Sequence, residues 1–347
     1  MSTPATRRTG RRPRLDLESY ARLGELADYV VPFALRLACD LRLADLLREG
    51  PLPVAELAER TGTHTRSLCR MLRALACRGV FAEHEQGVFG LTPLSEVMRS
   101  DHPLSFADSC PLLPFDVRAW SALDHAVRTG ESAFAKVNGE EYHDYLARRP
   151  ADSARADGAM RGVNTLHLRS VLPHCDWAGV RTLVDVGGGE GAFLSAVLAR
   201  FPEMRGILLD QPHVLEGAPD VLREAGVADR CETVPGDFFV DIPAGADCYL
   251  LKTVLPGWDD QRASTLLRRV RAAMRPDSTL VLLEAVLLPG NEFDLGKLID
   301  LHTLVLTGGR HRTVEELDRL LRGAGLRLQR RRPTSTLTVL EARPADG

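Results

Sequence analysis

Residues 183–198 read Leu183-Val184-Asp185-Val186-Gly187-Gly188-Gly189-Glu190-Gly191-Ala192-Phe193-Leu194-Ser195-Ala196-Val197-Leu198. Leu183 and Val184 belong to a short apolar run, and Phe193, Leu194, Val197 and Leu198 recur at helical spacing. The glycines therefore form a turn from a strand into a helix. Glycine there lets the backbone approach a ligand closely and leaves amides exposed at the helix start. Further β-rich runs follow at Gly206–Leu209, Cys248–Lys252 and Thr279–Glu284, each separated by enough chain for a helix. With Thr182–Val186 they predict an α/β domain, a Rossmann-like parallel sheet with crossover helices.

Three acids turn this pattern away from dinucleotides. Asp185 precedes the glycines, where a carboxylate suits a ligand ammonium group better than a pyrophosphate. Asp210 ends the next strand, 19 residues beyond Gly191, where a carboxylate takes ribose hydroxyls. Asp237 follows a third strand and is itself followed by Phe238 and Phe239, an acceptor for an adenine amino group beside an aromatic face. A pocket for an adenosine with a cationic amino-acid tail and no phosphate implies S-adenosyl-L-methionine as cofactor, with S-adenosyl-L-homocysteine as its product. Each acid taken singly also reads as a helix cap or a solvated loop residue.

The other half of the chain differs in texture. Residues 41–91 carry three helical patterns (Leu41–Arg48, Pro53–Arg60 and Thr65–Arg78, ended by Gly79) and then a hairpin from Val80–Phe81 to Val88–Leu91. This is a mainly α, winged-helix pattern. Arg66, Arg70, Arg73 and Arg78 on its third helix suit either DNA or a solvated face opposite Leu68, Met71, Leu72 and Leu75. The net charge is −3, but Arg7, Arg8, Arg11, Arg12 and Arg14 sit in a leading segment without acids. The remaining 39 basic and 47 acidic residues give −8 for residues 15–347. An acidic body argues against nucleic acid as a partner. The seven cysteines include no C-x-x-C pair and read as reduced thiols of a cytoplasmic protein. No secretory signal, membrane span or metal site is expected. The expected organisation is a disordered basic tail (1–14), a winged-helix-like dimerisation domain (15–105), a helical region lining the substrate pocket (106–180) and a cofactor-binding catalytic domain (181–347).

At this point the sequence resembles the S-adenosylmethionine-dependent O-methyltransferases of the plant caffeic-acid/hydroxyindole type and their actinobacterial antibiotic-pathway relatives. The matching stretches are 183–191, Leu-Leu-Asp-Gln-Pro (208–212), Gly-Asp-Phe-Phe (236–239), Trp-Asp-Asp (258–260) and Thr-Gly-Gly-Arg-His-Arg-Thr (307–313). The resemblance implies a homodimer. It also implies that Gly187, Gly189, Asp210, Gln211, Asp237, Phe238 and Lys252 line the cofactor pocket with Asp185. Asn164 falls where the family often places a serine near the methionine carboxylate. Met160 falls where the family sets a methionine against the aromatic acceptor, and Phe134, Trp120 and Trp258 supply further apolar wall.

The pattern breaks at one place. The family commonly has a histidine as general base just before the Trp-Asp pair, held by two acids; here Pro256 occupies that position. One acid remains as Glu284, and the other is replaced by His311. Three explanations stay open: His311 is a relocated base oriented by Glu284 or Asp300; positioning alone suffices; or the chemistry has changed to decarboxylation or hydroxylation on the same fold. His302, on a helical stretch from Leu298 to Leu306, borders the same pocket by resemblance. His125, His143 and His167 read equally as pocket or packing residues. The expected acceptor is a phenolic aromatic polyketide or an aromatic acid of orsellinic or naphthoic type, free or carrier-bound. A winged-helix regulator that senses the cofactor is the rival from another class.

Overall fold

A computed structural model describes residues 16–109 and 111–345. The basic segment expected to be disordered lies outside the described residues. The chain divides into two compact units between Arg99 and Ser100.

The first unit contains α1 (Leu17–Leu26), α2 (Val30–Asp40), α3 (Leu43–Leu46), β1 (Leu52–Pro53), α4 (Val54–Thr61), α5 (Thr65–Ala76), β2 (Phe81–Glu85), β3 (Val88–Leu91) and α6 (Pro93–Glu96). Three helices and a wing are present as read. The first of them is shorter than its pattern because Arg42 adopts a left-handed φ of 53° and separates α2 from α3. α5 buries Leu68, Leu72 and Leu75. On its other face Arg73 reaches across to Glu83 of β2, donating from Nε to Oε2 at 2.9 Å and from Nη2 to Oε1 at 2.8 Å. Glu83 also accepts the Gly87 N–H at 2.8 Å, so one arginine of the third helix fastens the wing. α1 buries none of its residues, and Leu17, Tyr20, Leu23 and Leu26 are all exposed.

The second unit opens with α7 (Pro114–Trp120), α8 (Leu123–Thr129), α9 (Ala133–Asn138), α10 (Tyr142–Ala147) and α11 (Pro150–Val171). The alternating part follows: β4 (Thr182–Val186), α12 (Ala192–Arg200), β5 (Arg205–Asp210), α13 (Ala218–Glu224), β6 (Cys231–Pro235), β7 (Cys248–Lys252), α14 (Asp260–Ala273) and β8 (Thr279–Glu284). It closes with α15 (Leu295–Thr307), α16 (Val314–Gly323), β9 (Leu326–Pro333) and β10 (Thr338–Pro344). The strands form one sheet in the order β6-β5-β4-β7-β8-β10-β9. The first five are parallel, and β10 and β9 close the sheet antiparallel.

Both faces of the sheet are covered, so its central strands are mostly apolar, with Asp185 of β4 as a buried exception. Val184, Val186, Tyr249, Leu251, Leu280 and Leu282 pack with Leu266, Leu267, Val270, Leu317 and Leu321 on one side. Leu183, Leu208, Leu250 and Val281 pack with Phe193, Leu194, Val197 and Leu198 on the other. Each fully buried side chain of this kind contributes about 1.5–3 kcal/mol relative to exposure. From β4 the chain runs outward through β5 and β6, then returns to place β7 on the other side of β4. The crevice between β4 and β7 is thus the topological switch point, where open α/β sheets bind ligands. No helix among the described residues is long and apolar enough to cross a membrane.

Candidate active site

Gly187, Gly189 and Gly191 all take positive φ, at 71°, 64° and 83°, conformations that side chains disfavour. The turn is also crowded from below. A Cβ on Gly188 would lie 2.6 Å from Asp185 Oδ2, one on Gly191 would lie 2.8 Å from Leu208 Cδ2, and one on Gly187 would approach Val254 and Phe238 to 3.0 and 3.4 Å. Above Gly189 nothing lies within 4 Å. The loop is therefore pressed onto the sheet and open on its outer side.

Asp210 fixes this loop to β5. Its Oδ2 accepts the Gly189 N–H at 2.8 Å and its Oδ1 accepts the Gln211 N–H at 2.7 Å. Burial raises the Asp210 pKa against the pull of those two amides. Asp185 lies beneath Gly188 and is 1% exposed, under the turn rather than on its outer side. Asp237 stays exposed and accepts the Phe239 N–H at 2.8 Å, while Gln211 is exposed beside Asp210.

Across the crevice, Lys252 ends β7 and donates from Nζ to Asn164 Oδ1 at 2.6 Å. Asn164 and Met160 are one helical turn apart on α11, and Met160 is half-exposed. His167 follows on the same helix, buried, with its pKa pushed down to about 4 by burial and then by Lys252. Glu284 ends β8, 2% exposed, with a pKa raised by burial to about 8 despite Arg312, the nearby Leu255 N–H and Lys252.

Phe238 and Phe239 form an aromatic group with Trp258. The Phe239 and Trp258 rings meet edge to face at 4.9 Å, and Phe238 lies 6.1 Å from Trp258. His143 of α10 stacks on Trp258 at 5.8 Å, and the Arg262 guanidinium lies 4.3 Å from the Trp258 ring centre. Trp258 thus stands with the residues expected around the adenine. His143 is exposed to solvent, and desolvation by the protein around it lowers its pKa while Asp210 opposes the shift. The Trp258 stack places His143 beside this aromatic group.

Pro256 lies in a single 3₁₀ turn, Leu255–Gly257, that Arg312 holds in place. The buried guanidinium donates from Nε to Asp260 Oδ1 at 2.9 Å, from Nη1 to the Leu255 carbonyl at 3.1 Å and from Nη2 to the Trp258 carbonyl at 2.9 Å. No role follows for Arg312 from sequence spacing, although it sits within the quoted Gly-Gly-Arg-His-Arg-Thr run. His311, beside it, is buried. Its Nδ1 faces the Ala285 carbonyl at 3.2 Å, and Asp300 accepts the His311 backbone N–H at 2.6 Å. Asp300 therefore holds the main chain of His311, while Ala285 orients its ring. Burial keeps the His311 pKa below the usual imidazole range. His311, Glu284, Ala285, Pro256 and Arg312 share a small cavity.

His302, Trp120 and Phe134, all expected at the acceptor wall, sit apart from this cavity. His302 of α15 accepts at Nδ1 from the Trp120 indole N–H at 3.0 Å, with the two rings stacked 5.8 Å apart. Phe134 is wholly enclosed among Phe115, Tyr142 and Tyr145. Its ring packs in that core and presents no open face.

A glycine turn held at positive φ at Gly187, Gly189 and Gly191, a strand-end carboxylate anchored to it, and the buried and exposed carboxyls of Asp185, Asp210 and Asp237 around the crevice define a nucleoside site suited to a positively charged ligand. Phosphate would find the wrong donor set, and S-adenosylmethionine fits. Comparison with known proteins gives the same class. The O-methyltransferase domain model matches residues 120–327, and the O-methyltransferase dimerisation domain model matches residues 25–101. The phenazine O-methyltransferase PhzM of Lysobacter antibioticus is 43% identical over 321 residues, 92% of this chain and 94% of its own. The mitomycin biosynthesis 6-O-methyltransferase of Streptomyces lavendulae is 39% identical over 90% of each chain. The solved structure of NcsB1, an O-methyltransferase from neocarzinostatin biosynthesis in complex with S-adenosylmethionine and 2-hydroxy-5-methyl naphthoic acid, is 34% identical with a TM-score of 0.82, covering 93% of this chain and 98% of that one. The chain belongs to this family: it is an S-adenosylmethionine-dependent O-methyltransferase with a Rossmann-like catalytic domain behind a helical dimerisation domain.

Proposed function

We propose that the protein methylates a phenolic hydroxyl of an aromatic polyketide or an aromatic acid of orsellinic or naphthoic type, in antibiotic or other secondary metabolism. The antibiotic-pathway relatives and the naphthoic acid held by NcsB1 support this acceptor class. Within the chain, Met160, half-exposed one turn from the Lys252-bound Asn164, supports an aromatic acceptor lying beside the cofactor.

Bound S-adenosylmethionine supplies an electrophilic methyl group. The chain's own residues then have two tasks, alignment and proton removal. Alignment comes from rigid parts, the Gly187–Gly191 turn fixed by Asp210 and the Leu255–Trp258 turn fixed by Arg312. Such positioning supplies about 7–11 kcal/mol of a barrier when the reacting atoms are well placed. Pro256 has no group to accept a proton. His311 is the relocated base in this reading. With Nδ1–H directed at the Ala285 carbonyl, its Nε2 keeps a lone pair, and a pKa below 6.5 leaves the ring neutral near pH 7. The observation that carries the reading is this buried, tautomer-defined imidazole beside Glu284 and Pro256.

The protein acts as a homodimer in this account. The exposed apolar residues Leu17, Tyr20, Leu23 and Leu26 of α1, within or next to the matched dimerisation segment, support it. Incubation with methyl-labelled cofactor and a panel of hydroxybenzoic and hydroxynaphthoic acids tests the acceptor class. Label on a phenolic oxygen of one of these acids is expected, and transfer confined to other acceptor classes contradicts it.

A further inference from the structure

The helix α11 is 22 residues long but buries only Ala156, His167 and Val171. From Asp157 to Leu166 none of its residues is buried, so no hydrophobic core holds this stretch in place. It contains Gly158 and Gly162, and glycine weakens a helix interior relative to alanine. Packing accounts for Gly162, where a Cβ would lie 2.5 Å from Ser109 Oγ and 3.0 Å from the Ser109 nitrogen. Nothing comparable accounts for Gly158. A Cβ there would meet only the end of the Arg161 side chain, at 3.6 Å, so the helix is softened at a point where packing leaves room for alanine.

Polar side chains tie this stretch down, and they reach to both sides of the cofactor crevice. Arg161 donates from Nη1 to Glu190 Oε2 at 3.1 Å. Glu190 belongs to the glycine turn after β4, and its carboxylate sits so close to Gly217, between β5 and α13, that a Cβ there would fall 2.5 Å from Oε1. Three residues further along α11, Asn164 accepts the bond from Lys252 at the end of β7. Arg161 and Asn164 share a helix face, and β4 and β7 are the neighbouring strands that flank the switch point. The two bonds therefore carry α11 from one side of the crevice to the other. The Arg161 and Glu190 side chains keep 52% and 26% of their exposure, so the pair adds little to global stability. Its influence falls on local opening of a segment that lacks a core.

We propose that residues 157–166 of α11 form a strap across the cofactor site and that Arg161 and Glu190 are the positioning residues that latch it. The strap bends at Gly158 to admit S-adenosylmethionine and to let S-adenosylhomocysteine leave, and the latch sets the rate of both. Neither residue takes part in the chemistry. The inference rests on the cofactor and is independent of which acceptor is used.

Release of tritiated S-adenosylhomocysteine from the full chain, chased with excess unlabelled ligand, tests it. Arg161→Ala and Glu190→Gln are each expected to release the ligand about two- to fivefold faster. Association should quicken by a similar factor, because the same opening serves entry, so Kd changes less than about twofold. Tm should stay within about 3 °C of wild type. The double variant should be no faster than the faster single one, because both substitutions remove one contact. Gly158→Ala stiffens the bend and should slow release about two- to fivefold. Single variants that release at the wild-type rate overturn the proposal, as do effects that multiply in the double variant. A Kd that rises in full step with release, at unchanged association, also overturns it, since Arg161 and Glu190 would then act as direct binding contacts. Should a charge variant fail to fold, Gly158→Ala decides: slower release supports the strap, and a wild-type or faster rate overturns it.

Discussion

Gly309 packs directly against the carbonyl of Pro256. A Cβ on Gly309 would fall 2.6 Å from the Gly257 carbonyl carbon and 2.8 Å from the Trp258 nitrogen, and closer still to the Pro256 oxygen. These neighbours are backbone atoms that Arg312 ties down, so they have little freedom to move aside. Gly309→Ala is expected to cost about 1–3 kcal/mol or more. For a domain of this size that lowers Tm by roughly 2–10 °C, and a thermal melt within 1 °C of wild type contradicts the packing described.

Arg312→Lys tests the other half of the same contact. A lysine keeps the charge but has no planar fork to reach Asp260, Leu255 and Trp258 together. The expected loss is about 2–4 kcal/mol, because buried acceptors lose their donor. Denaturant unfolding reads it, and a midpoint unchanged by the substitution is the contrary result.

Asp210 accepts two backbone N–H groups from the glycine turn and its own strand end. Alanine leaves both amides unpaired, and an asparagine amide has one acceptor oxygen for two donors. Cofactor Kd should rise roughly 10–100-fold for Asp210→Ala and less for Asp210→Asn. Equal affinity across the three proteins, measured by calorimetry, contradicts the role given to Asp210.

His311→Ala separates base catalysis from positioning. Burial places the His311 pKa below 6.5, so wild-type kcat should fall on acidification below that value, as the ring gains a proton, and level off above it. Loss of a general base lowers the rate about 10²–10⁴-fold. A His311→Ala rate within about threefold of wild type from pH 6 to 9 leaves positioning alone.

Stability should also depend on pH through the buried carboxyls. Asp185 and Glu284 have folded pKa values near 7 and 8 against ordinary values of 3.8 and 4.5, so the folded state holds the extra protons. Their contribution is fully present below about pH 4 and disappears as pH rises through 7 and 8. The cofactor-free protein should lose Tm between pH 5.5 and 8.5, and Glu284→Gln should flatten that slope. A parallel slope in the variant contradicts the burial assigned to Glu284.

Much of the fold was legible because periodicity is a local property. Thr182–Val186, Cys248–Lys252 and Thr279–Glu284 are strands with the residue limits their apolar runs suggest. β9 escaped notice because the Arg330-Arg331-Arg332 run masks alternation on an edge strand. In the site, spacing and glycine content pointed to the turn and to Asp210. Arg312 was not legible, because its partners are main-chain carbonyls more than fifty residues away and carbonyls leave no mark in sequence. The stack of His143 on Trp258 is a tertiary contact of the same kind.

The central claim is methyl transfer to oxygen at a site whose usual histidine is Pro256. It is tested most directly by incubating the protein with methyl-¹³C S-adenosylmethionine and a hydroxynaphthoic acid and reading the product by NMR. The account predicts an O-¹³CH₃ resonance that grows in step with S-adenosylhomocysteine. An acceptor that loses carbon dioxide or gains oxygen while the bound cofactor keeps its label would contradict it.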